Sequence, residues 1–239
     1  MKKVNQKEFK RVETKYLVSD KQLSQLLKDM NPYLQADDFA QSTISSLYFD
    51  TEDFQMVQDS LAKKHGKEKL RLRTYDTSGS LDAPAFLEIK QKLDGVGYKY
   101  RVATTPRLAG RELAGQTSDW KMAEQLQELH DRYDNIQPRM LIRYQRQSFK
   151  GRGNQSVRVT LDKNVTYGLV TGMTLVAPFE QHLIADNQMI MEIKVATSTP
   201  AWLEEILAKY QLEKTSFSKY GQAYRLYQEH LKIRETAYA

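Results

Sequence analysis

Lys69, Arg71 and Arg73 occupy alternate positions in the stretch KEKLRLRTY at 67–75, with Leu70 and Leu72 between them. On a β-strand all three cations share one face and both leucines the other. The alternation recurs along the chain. RVETKYLV aligns Arg11, Glu13 and Lys15; FLEIKQK aligns Glu88, Lys90 and Lys92; YKYRV aligns Lys99 and Arg101. VRVTLDK aligns Arg158, Thr160 and Asp162, MEIKV aligns Glu192 and Lys194, and in RYQRQSF Arg146 follows Ile142 and Tyr144, with its charge at one end. A face kept merely soluble mixes the signs of its charges, but here cations strongly outnumber carboxylates. Such a wall repels itself unless a polyanion neutralises it, and the planar fork of arginine suits phosphate oxygens. The chemistry indicated is the holding of a phosphate-rich ligand.

The elements that must position these residues are mostly strands. The pattern predicts strands at 9–18, 43–50, 67–75, 84–93, 96–104, 138–149, 155–163 and 188–195, bounded by turn residues such as DTSGSLDAP, LDGVG and GRGN. LDGVG reads as a tight hairpin. Helices are predicted at 19–31, 52–62, 118–134, 200–210 and 217–233. Ser19 and Ser118 serve as N-caps, Leu23, Leu26, Leu27 and Met30 form an apolar stripe, and Pro200 suits a first turn. The order indicates an α+β fold with a largely antiparallel sheet, taken as a single domain over 1–239. Two architectures satisfy the one-sided charge. An open sheet would leave the charged face wet; a closed barrel would turn it into a lumen, with the apolar face outward under helices.

Bulk properties narrow the setting. The 239 residues carry a net charge of +6 and no cysteine, and the pI is near 9.2. Disulfides and thiolate metal sites are excluded, so a metal would use carboxylates, histidine or water. His65, His130, His182 and His230 lie far apart and form no ligand set. A basic balance fits nucleic acid, phosphorylated metabolites or a membrane surface. No nucleic-acid motif is present, and the aromatics do not interleave the cations as a stacking platform would. No signal sequence or membrane span is read, and the expected location is the cytoplasm.

In this order, RVETKYLV, SSLYFDT, EKLRLRTY, FLEIKQK, RYQRQSF, VRVTLD, MEIKV and SFSKYGQAY resemble the blocks of the vacuolar transporter chaperone (VTC) catalytic domain. That is the polyphosphate polymerase domain of the CYTH-like triphosphate tunnel superfamily. The resemblance runs from about residue 8 to 225. It implies a closed antiparallel β-barrel with a cationic lumen and helices packed outside. It implies that Arg71, Arg73, Lys90, Arg146 and Arg158 act on the reacting phosphates. Lys15, Lys69, Lys194 and Lys219, with Lys99 or Arg101, would bind the rest of the chain. It implies that Glu192 holds a divalent metal, Mn or Mg, with Glu13 and Glu88 the next candidates. The wider superfamily often opens with an ExExK pattern; here Arg11 stands where its first carboxylate would be, which favours a long phosphate chain over a small triphosphate.

The implied reaction transfers the γ-phosphoryl group of ATP to a growing inorganic polyphosphate. The acceptor is already an anionic oxygen, so no general base is required. The sensing and membrane-spanning regions that accompany the eukaryotic domain are not found, and a separate membrane partner protein is expected to supply them. Two other functions compete: a non-catalytic polyphosphate-binding module, and a triphosphate hydrolase or cyclase, which would want more lumen carboxylates.

Overall fold

The computed structural model describes residues 7–9, 12–64, 66–93, 96–116, 122–153 and 156–237. Along them run β1 (Lys7–Phe9), β2 (Val12–Ser19), α1 (Asp20–Met30), β3 (Leu34–Asp50), α2 (Gln55–Ala62), β4 (Lys67–Thr74), β5 (Ala85–Leu93) and β6 (Val96–Thr104). There follow α3 (Pro106–Leu113), α4 (Ala123–His130), β7 (Gln137–Gly151), β8 (Arg158–Leu169), β9 (Gln181–His182), β10 (Gln188–Val195), α5 (Ala201–Lys209) and α6 (Lys219–Ala237). The architecture is α+β with one antiparallel sheet in the order β1-β6-β5-β4-β3-β7-β8-β10-β2, and β9 pairs with β8.

Local chemistry explains most boundaries. Ser19 accepts from the Gln22 N–H and the Gln22 side chain answers the Ser19 N–H, a capping box that starts α1. Pro200 stands at the N-cap of α5 rather than inside its first turn. Thr105 caps α3, with Pro106 at its first position; this helix was missed, although Thr-Pro is a start signal. β3 begins at Leu34, well before the expected 43, through a stretch, QADDFAQS, that lacks the alternation that marks a strand. The LDGVG hairpin is present as the Leu93↔Val96 pairing of β5 and β6; its two central residues, and Ser118, lie outside the described residues.

The sheet's two faces differ as the alternation requires. The outer face carries two apolar cores. One gathers Leu47, Leu70, Leu72, Leu87 and Ile89 under Met122, Leu126 and Leu129. The other gathers Tyr16, Val18, Val159, Leu161, Met191 and Ile193 under Leu26, Met30 and Leu203. Each of these side chains contributes roughly 1.5–3 kcal/mol on burial, which fixes the register and with it the direction of every intervening charge.

The inner face curls upon itself. Lys90 on β5 feels Lys194, Glu13 and Glu192 on β10 and β2, although these strands are far apart in sheet order. The expected closed barrel is not formed: the sheet is open, with β1 and β2 at its two edges, and among the described residues no ladder joins them. The free edge of β2 is taken up otherwise. The Lys15 carbonyl accepts from the Thr215 N–H at 2.8 Å, so the segment leading into α6 lies where a closing strand would. The expectation that all helices pack outside is also corrected. The start of α6 packs on the inner face, where Ile44, Tyr48, Met140, Ile142, Tyr144 and Ile190 surround Tyr220 and Ala223. That end of the inner face is apolar, and only a helix placed inside can cover it.

Candidate functional site

Glu88 on β5 is fully buried and is the hub of one wall. Register places it between Arg71 of β4 and Arg101 of β6. Arg71 donates Nε–H to Glu88 Oε2 at 2.8 Å and brings a second nitrogen to 2.7 Å. Lys99 Nζ stands 2.5 Å from Oε1, Arg101 Nε 3.5 Å from Oε1 and Arg73 Nε 4.0 Å from Oε2. Arg71 also donates to the Tyr48 hydroxyl at 3.2 Å, and Arg73 to the Tyr144 hydroxyl at 3.1 Å. Arg101 lies over the Phe86 ring at 3.6 Å, and its Nε is buried without an acceptor in hydrogen-bond geometry. The guanidinium groups are therefore held in fixed planes before any ligand arrives, which lowers the cost of ordering them on binding.

Facing this wall, Lys15 of β2 pairs with Glu13 at 3.2 Å and Glu192 at 3.7 Å, and Lys194 pairs with both carboxylates. Beside Glu192 in register, the Thr160 hydroxyl is buried without a partner. Farther along β7 and β8, Arg146 makes a two-pronged pair with Asp162 at 2.6 and 2.7 Å, and Lys219 from α6 adds 2.5 Å to the same carboxylate. Lys219 also lies 4.6 Å from the centre of the Tyr144 ring. The segment before α6 ties the two walls together: Lys15 Nζ donates to the Phe217 carbonyl at 3.1 Å, and Lys69 Nζ to the Ser218 hydroxyl at 2.7 Å.

The crowding of like charges shows in the titration of these groups. Lys90 is exposed to solvent inside the concavity, with protein walls around it. Partial loss of hydration between these walls, then Arg71 and Lys194, push its ammonium down to about 7. Desolvation, with Lys15 and Arg71, lowers Lys69 to about 8, and desolvation with Arg71 and Arg101 lowers Lys99 to about 8 against the pull of Glu88. Burial alone would raise the Tyr48 phenol; Arg71, Lys69 and Arg73 outweigh it and bring it to about 8. Burial likewise opposes ionisation of Glu192, and Lys194, Lys15, Arg146 and Lys219 overcome it, holding the carboxyl well below the usual range. The face is short of negative charge.

Of the residues read from the sequence, Lys15, Lys69, Arg71, Arg73, Lys90, Lys99, Arg101, Arg146, Lys194 and Lys219 share this inner face with Glu13, Glu88 and Glu192. Arg158 shares the face but stands apart: it opens β8 at the rim, half exposed, paired with Asp37. Sequence reasoning missed Tyr48 and Tyr144, which orient the two arginines, as well as the partnerless Thr160 hydroxyl. Tyr48 and Tyr144 each sit at the even spacing of their strands, next to Ser46 and Arg146, and that spacing was the available signal.

Among the described residues no three His, Asp or Glu side chains group as a metal site. Glu88 does not fit that role, because four cations enclose it. Glu192 and Glu13 lie beside each other through Lys15 and Lys194, and a hard cation would have to displace those ammonium groups, with phosphate oxygens and waters completing its shell.

The VTC domain model matches residues 10–228, and the chain belongs to that family. A Bacillus halodurans protein named as a "putative adenylate cyclase" has the same fold, with a TM-score of 0.55 at 15% identity over 88% of this chain and 95% of that one. A Pyrococcus horikoshii protein aligns with a TM-score of 0.48 at 17% identity, over 90% and 98% of the two chains. A Vibrio parahaemolyticus protein with the same cyclase name aligns at 0.48 and 14%, over 91% and 99%.

Proposed function

We propose that this VTC-domain chain is a polyphosphate polymerase that transfers the γ-phosphoryl group of ATP to the end of an inorganic polyphosphate lying along the inner face. The observation that supports it most is the gathering of Arg71, Arg73, Lys99 and Arg101 on one buried carboxylate, opposite Lys15, Lys194 and Lys219. In this reading Arg71 and Arg73, one pleat apart, bind adjacent phosphates, and Arg146 and Lys219 turn from Asp162 to the donor. Lys90, Lys69 and Lys99 gain protons as phosphate approaches. The acceptor oxygen is anionic, so the residues supply alignment and charge neutralisation rather than a base. A divalent cation, Mn or Mg, would neutralise charge on the transferred group, and Glu192 with Glu13 would hold it. No described helix is long and apolar enough to cross a membrane, and the reading sets the reaction in the cytoplasm, where ATP is at hand.

A binding-only module is the second reading, favoured by the saturation of Glu192 with Lys15 and Lys194. Incubating the pure protein with ATP and Mn²⁺ and staining a gel for long-chain polyphosphate separates the two. Elongating product supports the polymerase. Tight polyphosphate binding without product shows the module, and absence of both refutes the phosphate-chain reading.

A further inference from the structure

At the rim of the inner face, β10, β8 and β7 place Lys194, Arg158 and Lys150 side by side in register. All three stand at or next to strand ends, so the row borders open solvent. It lies about 13 Å beyond Arg146 along β7, four residues at roughly 3.3 Å each. Lys150 carries the same period-2 direction as Arg146 and Ser148. Lys194 is held by Glu13 and Glu192, and the other two cations have carboxylates of their own: Asp37 pairs with Arg158, and Asp38 with Lys150 at 2.6 Å. Both come from an irregular part of β3. Between Ala36↔Phe149 and Gln41↔Gln147, residues 37–40 of β3 face the single residue Ser148 of β7. A bulge of this kind bends the strand and re-aims its side chains, and it leaves Phe39 83% exposed.

We infer that Arg158 and Lys150, continuing the row from Lys194 of the inner site, are a distal subsite for phosphate chains too long to end at the inner arginines, and that the bulge bearing Asp37 and Asp38 is an acidic latch over it. The inference rests on the proposed phosphate-chain reading of the inner face. Without a long chain the aspartates neutralise Arg158 and Lys150. A long chain brings its own negative oxygens to the row and displaces them; the bulge, lacking ladder bonds to β7, swings out at little cost. A triphosphate held at Arg71, Arg73 and Arg146 is too short to reach the row and leaves the latch shut. The latch thus favours chains that fill the whole track and keeps the rim from collecting small anions.

The test compares binding of tripolyphosphate and of long-chain polyphosphate by the wild type, the double variant Asp37→Asn, Asp38→Asn, and Lys150→Met. The double variant is expected to bind the long chain about 3- to 10-fold more tightly, the worth of two exposed pairs no longer competing, and with a steeper salt dependence. Lys150→Met is expected to weaken the long chain alone. Tripolyphosphate affinity is expected to stay within about twofold throughout. Equal changes for both ligands, or none for the long chain in either variant, overturn the latch while leaving the inner site intact. Failure of the wild type to bind either ligand overturns the proposed function, and this inference with it.

Discussion

Replacing Glu88 by Gln removes the only negative charge among four cations while keeping the side chain's shape. Breaking a buried ion pair costs about 3–5 kcal/mol. The low end applies here, because Arg71 keeps the Tyr48 hydroxyl at 3.2 Å and the Lys99 and Arg101 side chains, 21% and 32% exposed, can rehydrate. At roughly 2–4 °C per kcal/mol for a chain of this size, a loss of about 3 kcal/mol lowers the melting temperature by about 6–12 °C. The ligand reverses the deficit. With their internal counter-ion gone, the cations take phosphate oxygens without competition, so tripolyphosphate is expected to raise the melting temperature of the variant by more than that of the wild type. The pH dependence adds a second reading. The cations hold the folded-state Glu88 far below its ordinary 4.5. Its stabilisation is therefore present in full above that ordinary value and is lost progressively as the pH falls below it. The stability gap between wild type and variant is expected to narrow from about pH 5 to about pH 3. Thermal melts with and without tripolyphosphate at several pH values measure all of this. A fall in melting temperature below about 2 °C, or a ligand-induced rise no greater than that of the wild type, refutes the reasoning.

Glu192→Gln is expected to abolish metal-dependent turnover and leave polyphosphate binding largely intact; unaltered synthesis across a Mn²⁺ titration would place the metal elsewhere, with Glu13 next. Lys90, near 7 against an ordinary 10.5, sheds its proton in the folded protein before the unfolded chain does, so the ligand-free protein gains stability as the pH rises through that window. From the lower edge of that window upward, over about pH 6.5 to about 8.5, tripolyphosphate affinity is expected to fall and binding to take up protons, as calorimetry in buffers of different ionisation enthalpy reads out. Tyr48→Phe keeps the stack on Tyr220 but removes the acceptor for Arg71, and is expected to weaken phosphate binding by about fivefold, the worth of about one hydrogen bond; an unchanged affinity shows that the phenol does not orient Arg71. Arg71→Lys is expected to bind less tightly than wild type and more tightly than Arg71→Ala, because lysine keeps the charge and loses the fork; equal affinities for all three would make this strand a wet face.

Period-2 alternation by itself determined that the apolar residues and the cations of β4, β5, β8 and β10 stand on opposite faces, since a strand that buries one face must turn the other away from it. It also determined Ser19 as a cap, because a hydroxyl before an apolar stripe has a local partner to satisfy. The eight ordered blocks were enough to imply the family. Sequence did not determine how far the sheet would close. That depended on a competition between a strand partner for β2 and the Thr215 N–H, contacts made by residues some 200 positions apart. Nor did it determine which cations each carboxylate would meet. Glu88 and Glu192 look alike on their strands, and only the convergence of Arg71 and Arg73 from β4 with Lys99 and Arg101 from β6 enclosed the first in four cations, while Lys15 and Lys194 pair with the second. Arg158 and Arg146 share one strand pattern too, yet the bulge in β3 brings Asp37 to the first, and Lys219 of α6 joins Asp162 at the second. Alternation fixes the face on which a charge stands; its partner is fixed by which distant strand or helix packs across from it.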